Sequence, residues 1–474
     1  MPPLRRPPDQ APLMLPPRQA QVAAETEVLV VGGGPAGIGA ALGAARAGAQ
    51  VVLVERYGFL GGNATAALVM PWMSAHTRHP RPPRPGELGL MPQDHGIGGE
   101  LVVRGVWSEI IDGMVQAAAA LPPGPETGYT VPFDPEAFKT FALDLLDQSG
   151  VTYLLHAFAS GVIEPAGPDG VVFETKSGPQ VVRAQVVIDA TGDGDVAAAA
   201  GAPYEIGRED GLTQPMSLMF RMVDVERRLF ADYVRRHPDQ WRGVHGLWDL
   251  VQRASEAGEL DLPREDILMF GTTHPSEVAV NSTRVTRVLG VDVFDLTRAE
   301  VISHRQARQI AEFLRSRVPG FADAYLAQTG VGVGVRETRR VLGAYVLTGD
   351  DVLSAAAFDD VIARGTYPID IHNPTGRGST LRDLPPGAAY EIPLRCLLPR
   401  GVDRLLVAGR CISGTHEAHS SYRVTPTAVA TGHAAGVTAG LATSHQLLPR
   451  EVPIADVQAE LLRQGADLHR VRAA

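Results

Sequence analysis

Two stretches gather side chains able to move protons and hold anions. The first is His416, His419, Ser421, Tyr422 and Arg423. A histidine titrates near neutrality, so either ring can take or give a proton as a hydride leaves or arrives at carbon. Arg423 can bind a carboxylate or polarise a carbonyl. The two histidines stand three apart on a segment rich in Gly and Ser that reads as irregular, so neither is fixed as a packing residue. The competing reading is that these groups cap the next helix. The second stretch is Arg336-Glu337-Thr338-Arg339-Arg340, joined downstream by Asp370, His372 and Asn373 of YPIDIHNP. Charged runs are usually solvated faces or salt-bridge networks, the plain reading of Arg339 and Arg340. Arg336 and His372 are the better candidates for chemistry. Asp370 and His372 have strand spacing, but two ligands do not make a metal site, and no metal is expected.

Such groups need a scaffold, and Val28–Glu55 supplies its first part. An apolar run, Val28-Leu29-Val30-Val31, breaks into Gly32-Gly33-Gly34-Pro35-Ala36-Gly37, then small residues, then Val51–Val54 and Glu55. Gly32 permits a tight turn, Gly34 lets backbone approach a pyrophosphate, and Gly37 lets the helix lie close on the sheet. Pro35 suits a first helical turn. The N–H groups and dipole of that helix then face phosphate, and Glu55 can accept from a ribose hydroxyl. Strand, glycines, helix, strand and acid in this order mark a dinucleotide site.

At 474 residues the chain can hold two cores. Hydrophobic content of 45% and charged content of 20% are those of an ordinary globular protein. A net charge of −10 argues against nucleic acid. Cys396 and Cys411 are too few and wrongly spaced for a four-thiolate cluster, a disulfide framework or a CxxC redox pair. No apolar export region follows the Pro-rich start, and the small-apolar run Ala428–Ala442 is too short to span a bilayer. A cytoplasmic location is the expectation.

Residues 1–23 read as a disordered Pro-rich tail. The first nucleotide-binding part is expected over 24–201, including an aperiodic loop at 76–99 that is either plain surface or a lid. Within it Leu101–Ala120 has helical spacing. Pro132–Ser149 reads as an amphipathic helix capped by Asp134. Ala184–Ala190 reads as a buried strand running into Thr191-Gly192. A mixed α and β segment at 202–393 has the place of a substrate domain, with strands at Ser217–Val223 and Val278–Asn281 and a helix at Thr297–Arg317. The nucleotide domain returns at 394–445 with the strand Arg404–Ala408 and a helix, Val424–Leu441, so poor in large residues that it must pack closely on something. Residues 446–474 form a C-terminal extension. Gly330–Gly334 (GVGVG) is a turn rather than a second dinucleotide motif, since the charged run follows it and no third glycine does.

Five stretches together resemble the FAD-dependent oxidoreductase family, whose flavin domain is like those of glutathione reductase and the succinate dehydrogenase/fumarate reductase flavoproteins. They are VVGGGPAGIGAALGAARAGAQVVLVER, FLGGNAT, AQVVIDATGDGDVAAAAGAPY, GVRETRRVLGAYVLTGDD with DIHNP, and RLLVAGRCISGTHEAHSSYRVTPTAVATGHAAG. The resemblance spans about Glu27 to Leu441. It implies an α/β fold, an FAD/NAD(P)-binding Rossmann-like three-layer domain with an inserted α+β substrate domain. It implies FAD, held at its pyrophosphate by Gly32, Gly34, Pro35, Ala36 and Gly37 and at its adenosine ribose by Glu55, with Arg56 adjacent. Gly61, Gly62, Asn63 and Thr65 would pass beneath phosphates and ribityl. Ala190, Thr191 and Gly192 would close the adenine side, and Gly409 and Arg410 would sit beside the ribityl. The helix start at Thr425, Pro426 and Thr427 would aim N–H groups at the flavin N1–C2=O edge.

The implied reaction is hydride transfer between a small organic substrate (CH–OH, CH–NH or CH–CH) and flavin N5, with electrons passed to an unidentified acceptor. His416, His419, Arg423, His372 and Arg336 are the catalytic candidates. An enoate reductase of fumarate type is the alternative direction, and a non-catalytic flavin-binding module the alternative of another class. A nicotinamide dehydrogenase is a third reading, for which FLGGNAT and ATG are surplus. Flavin hydroxylases usually carry Gly-Asp where this chain has Gly409-Arg410, which points away from monooxygenase chemistry. The cysteines needed for an iron–sulfur link are lacking, and His76 is the weak candidate for a covalent flavin bond.

Overall fold

A computed structural model describes residues 13–79, 85–86, 90, 99–164, 166–376 and 378–468. Its main sheet starts with β1 (Gln21–Val31), which turns through the glycines into α1 (Pro35–Arg46) and returns as β2 (Val51–Val54). Then follow β3 (Thr152–Leu154), β4 (Phe158–Ile163), β5 (Gly170–Thr175) and β6 (Gly178–Asp189), and, far along the chain, β7 (Leu405–Val407). β3, β2, β1, β6 and β7 lie parallel in that order. The first half of β6 pairs antiparallel with β5, and β5 with β4. β1 and β6 therefore run alongside each other for their whole lengths, and their last four residues are buried on both faces. That continuous apolar ending is what a parallel strand covered on both faces requires.

The terminal helix α3 (Thr425–His445) finds its close partner in α1. A Cβ added at Gly432 would lie 1.9 Å from the Ala36 carbonyl oxygen, and one at Gly436 2.0 Å from that of Ala40. Backbone thus lies on backbone, which explains the absence of large residues. The helix before it, α2 (His416–Tyr422), corrects an expectation: the segment is a regular, buried helix capped by the Thr415 hydroxyl. Thr-x-x-Ala over four residues is too short to show the helical period, so Gly and Ser dominated the reading.

A second hydrophobic core has its own antiparallel sheet. Its order runs from Tyr325–Thr329 through Phe220–Val223, Val278–Val280, Ile267–Gly271 and His245–Gly246 to Trp241–Arg242. The 25-residue helix Val293–Arg317, capped by Asp292, packs against it. This core takes its members from Met216–Val333 together with Leu90, whereas Val341 through Leu394 contribute to the first core. Apart from Leu90, the second core lies within the 202–393 expected for the inserted unit. The stretch that follows that core folds back as strands Val361–Gly365 and Tyr390–Pro393, paired within the first core, and Ile369–His372 and Ser379–Arg382, a hairpin at the seam between the two cores that Arg284 reaches.

The start of the chain also differs from expectation. Gln21 and Val22 pair with Gln180 and Val181, so the tail gives way to β1 before residue 24. Residues 1–12 lie outside the described residues, as does most of 76–99, including any lid there. Within the C-terminal extension, helix Ile454–Arg463 buries Val457 and Leu461 near α3. Helices Val106–Gln116 and Pro135–Gln148 fall inside the two stretches with helical spacing, the second capped by Asp134 as its sequence indicates. Gly330–Gly334 is a turn, tied to Met219 and Ser217 by backbone hydrogen bonds.

Candidate active site

The glycines of the first turn answer to three different constraints. Gly32 has φ +104°, and a Cβ there would meet the Ala190 carbonyl oxygen at 2.5 Å. A Cβ on Gly37 would lie 1.7 Å from the Gly32 carbonyl oxygen, so only glycine lets α1 start so close to β1. Gly34 is different: its nearest neighbour on that side is the Gly62 Cα at 3.7 Å, and protein does not crowd it. Asn63 follows on the same turn and donates to the Val335 carbonyl, which ties the turn to the seam. The Gly61 N–H donates to the Gly33 carbonyl, which holds this second turn against the first.

Two helix starts converge at this point. α1 has no side-chain cap on Gly34, and α3 has none on Val424. The first turn of each helix therefore offers N–H groups and the positive end of its dipole. Gly409, at the end of β7 with φ +77°, sits between them; a Cβ there would lie 2.7 Å from Ala36 Cβ and 3.8 Å from Ala428 Cβ. At the far end, Glu55 Oε2 accepts from Gly33 N–H at 2.6 Å and Oε1 from Tyr57 N–H at 2.8 Å. Each oxygen retains a lone pair, and burial raises the Glu55 pKa despite these two bonds. Arg56 lies over the Tyr57 ring. Open space at Gly34, two uncapped helix starts and a bridged acid fit a dinucleotide laid along the sheet ends, with anionic phosphates at α1 and a ribose at Glu55.

Three residues expected at the cofactor, Thr65, Thr191 and Arg410, also bond to protein groups. The Thr65 hydroxyl donates to the Leu60 carbonyl at 2.7 Å and closes its own turn. The Thr191 hydroxyl donates to Asp189 at 2.7 Å. Arg410 pairs with Asp193 at 2.7 Å beside Gly192, which has φ +77°. These contacts shape the cradle wall. Asp189 itself is fully buried, accepting from Thr191 and from Ala197 N–H, and burial lifts its pKa to about 6.

In a second group, polar side chains from four stretches (214–217, 336–340, 370–372 and 416–423) meet. His416, on α2, places Nδ1 2.8 Å from Glu337 Oε1, which also accepts from Arg340 at 2.6 Å. With a carboxylate as acceptor, Nδ1 carries the proton, and Nε2 is buried without a partner among the described residues. Gln214 joins this pair to the rest: its N–H donates to Glu337 Oε2 at 3.0 Å, and its Oε1 accepts from His372 N–H at 3.3 Å. His372 lies 3.4 Å from Asp370, and Arg423 lies 3.6 Å from the same carboxylate. Arg336 donates to the Pro215 carbonyl at 2.7 Å and to Ser217 at 2.9 Å. Of the five sequence candidates, four thus join one network.

His419 stands apart chemically, fully buried with neither ring nitrogen bonded among the described residues and edge-on to Tyr422. Burial first, then Arg340 and Arg423, push its pKa well below the usual histidine value. His372 is likewise lowered to about 4, by burial and by Arg336 and Arg423 against the pull of Asp370. Burial alone would raise Asp370, but His372, Arg423 and Arg336 hold it well below the usual carboxylate range. Arg336 is lowered to about 9 by burial and by repulsion from Arg423, Arg284 and Arg264. His76 lies away from this network, its ring against Tyr129. Gln214 was missed in the sequence because a lone Gln before Pro215 carries no motif. Arg284 was missed because a single arginine just after a buried strand reads as its solvated end.

None of the curated protein sequences matches the chain. Among solved structures, the chain is similar to a geranylgeranyl bacteriochlorophyll reductase-like protein from Thermoplasma acidophilum, at 14% identity over 94% of this chain and 84% of that one, with a TM-score of 0.46. It is similar also to p-nitrophenol 4-monooxygenase from Pseudomonas putida DLL-E4, at 10% identity over 94% and 88%, with a TM-score of 0.45. A family model described as FAD dependent oxidoreductase matches residues 27–461. The match takes in both the glycine cradle and the polar network, and the chain belongs to this family of FAD-dependent enzymes.

Proposed function

We propose that the enzyme moves a hydride between a small organic substrate, at a CH–OH, CH–NH or CH–CH carbon, and its flavin, with a separate molecule as electron acceptor. FAD, when bound, supplies the two-electron carrier. The observation that supports this reading is the buried His416–Glu337 pair, in which His416 Nε2 has no partner among the described residues. Glu337 fixes the ring through Nδ1, so Nε2 is the atom that takes or gives the substrate proton. Arg336 and Arg423 orient the substrate, and His372 is held in place by Asp370 and Gln214. The uncapped start of α3, whose dipole favours negative charge nearby, would stabilise a flavin that has taken up the hydride.

The cytoplasm is the proposed compartment, where Cys396 and Cys411, both unpaired and buried, stay reduced. No helix among the described residues is long and apolar enough to cross a membrane. The test is anaerobic. Purified holoenzyme is mixed with small alcohols, amines and saturated acids while its flavin absorbance is followed. At least one class should bleach the flavin, and His416→Gln should slow that bleaching by about 10²-fold or more at unchanged flavin content. A His416→Gln enzyme reduced as fast as the parent sinks the assigned role.

A further inference from the structure

One cavity in the first core shares no residue with the glycine cradle or with the polar network. It measures about 130 Å³ and lies against the helix Val106–Gln116. Trp107, Ile111 and Val115 line it from that helix, four residues apart and therefore on one side. His76 and Tyr129 line it from outside the helix. Trp107 is 3% exposed and Ile111 6%, whereas Asp112, the next residue round the helix, is exposed. The cavity is thus aromatic and apolar at its floor and acidic at its mouth.

The aromatic walls are held from behind. Trp107 meets Trp72 edge-on with ring centroids 5.6 Å apart, and Trp72 stacks on Phe133 at 3.9 Å. The Tyr129 ring lies 5.0 Å from that of His76. Tyr129 stands there at φ +59°, directly after Gly128 at φ +57°. A bulky residue with left-handed backbone is rare, and the strain persists only where surrounding contacts impose it. Here the Tyr129 N–H donates to the Gly124 carbonyl at 2.9 Å, and Val131 exchanges two backbone hydrogen bonds with Trp72. The Asp112 carboxylate, by contrast, has neither a hydrogen bond nor an ion pair among the described residues. No lysine or arginine lines the cavity among those residues, so the one fixed charge on its wall is negative.

Both features of this wall favour a positive guest. Aromatic rings attract an ammonium through their quadrupoles, and a carboxylate accepts its N–H bonds with the help of charge. An anion would meet Asp112 with no cation to offset it. The volume admits one compact body, since a cavity of about 150 Å³ takes a guest the size of benzene. We infer that this cavity binds a small organic cation, an amine in its ammonium form on a compact apolar body of about six non-hydrogen atoms. The body packs against Trp107 and Ile111, and the nitrogen sits at Asp112. The site is separate from the proposed reaction and does not rest on it.

Fluorine NMR reads the cavity directly. Holoenzyme carrying 5-fluorotryptophan at its four tryptophans gives one signal for each, and Trp107→Phe identifies the signal at the cavity. The probes are tert-butylammonium, tert-butanol and pivalate, one shape with positive, no and negative charge, at about pH 8, where an ordinary histidine is uncharged. None has hydrogen on the carbon that bears its functional group, so none can give a hydride, and flavin absorbance should stay constant. Tert-butylammonium should move the Trp107 signal to saturation and bind about fivefold or more tightly than either comparison. Asp112→Asn, at an exposed position, should weaken it by about fivefold or more. Equal affinity for the three probes, a Trp107 signal that does not move, or unchanged affinity in folded Asp112→Asn overturns the inference. The comparison among probes needs no variant, so it decides even where a substitution unfolds the protein. A flavin that no substrate class bleaches sinks the proposed reaction and leaves this inference standing.

Discussion

Around the first turn the molecule is built from backbone, with Gly37 against Gly32, Gly432 against Ala36 and Gly436 against Ala40 at distances no side chain would allow. At the seam, side chains carry the structure: His416, Glu337, Gln214, Arg340 and His372 hold one another through a chain of hydrogen bonds. The first kind of contact tolerates almost no added atom. The second tolerates atoms but not a lost partner. The two should therefore fail in different ways, and substitutions can tell them apart.

The seam comes first. Glu337→Ala removes the acceptor of Arg340 and His416 at positions 0–3% exposed for the ion pair. Arg340 keeps the exposed Glu205 and two carbonyls but loses its buried counter-charge, and urea unfolding should show a loss of about 2–3 kcal/mol. A loss under 1 kcal/mol would falsify the picture of a buried, mutually dependent network.

Asp189, in the cradle, comes next and depends on pH. Its folded pKa, about 6, is raised by burial above the ordinary aspartate value, so the folded chain holds the proton more tightly than the unfolded one. Its contribution is present at low pH and is lost as pH rises from about 4 to about 6, on the order of 3 kcal/mol. Asp189→Asn should flatten that part of the stability profile; an unchanged slope in denaturant titrations at both ends of the window rejects the assignment.

The fingerprint glycines give the finest contrast. Gly37→Ala forces a Cβ against the Gly32 carbonyl and should cost about 1–3 kcal/mol of stability, read from the denaturant midpoint. Gly34→Ala, at φ −74° with nothing nearer than 3.7 Å, should change stability by no more than about 0.5 kcal/mol. Its FAD affinity should nevertheless fall about tenfold or more, since the methyl enters the phosphate approach. Equal thermal losses from both substitutions would mean that Gly34, too, is there for packing.

These differences also account for what could be read from residues alone. The cradle is local: strand, glycines, helix and acid occupy one continuous stretch, and each glycine's reason lies within a few residues or in a matching helix of small residues. The seam joins Gln214, Glu337, His372, His416 and Arg423, which are separated by up to about 200 positions, and no spacing rule connects them. His416, His372, Arg336 and Arg423 stood out by residue type. Glu337 was visible only as part of a charged run. Gln214 and Arg284 became meaningful only once the hairpin at Ile369–Arg382 brought their partners to them. The regular helix of α2 was hidden for a related reason, because it is short and buried on nearly all sides.

The partnership of α1 and α3 has a bearing on how the chain is made. About 380 residues separate the end of α1 from the start of α3. At ribosomal speeds of about 5–20 residues per second, α1 leaves the exit tunnel roughly 20–80 s before its partner helix exists. Throughout that interval the Gly- and Ala-lined face of α1 has no native cover, and β6 lacks β7 along the edge it later shares. The inserted unit, whose core is drawn almost wholly from Met216–Val333, can fold during the wait. Closure of the nucleotide domain is thus a late event, and a nascent chain stopped before Thr425 has the glycine turn but no finished cradle around it.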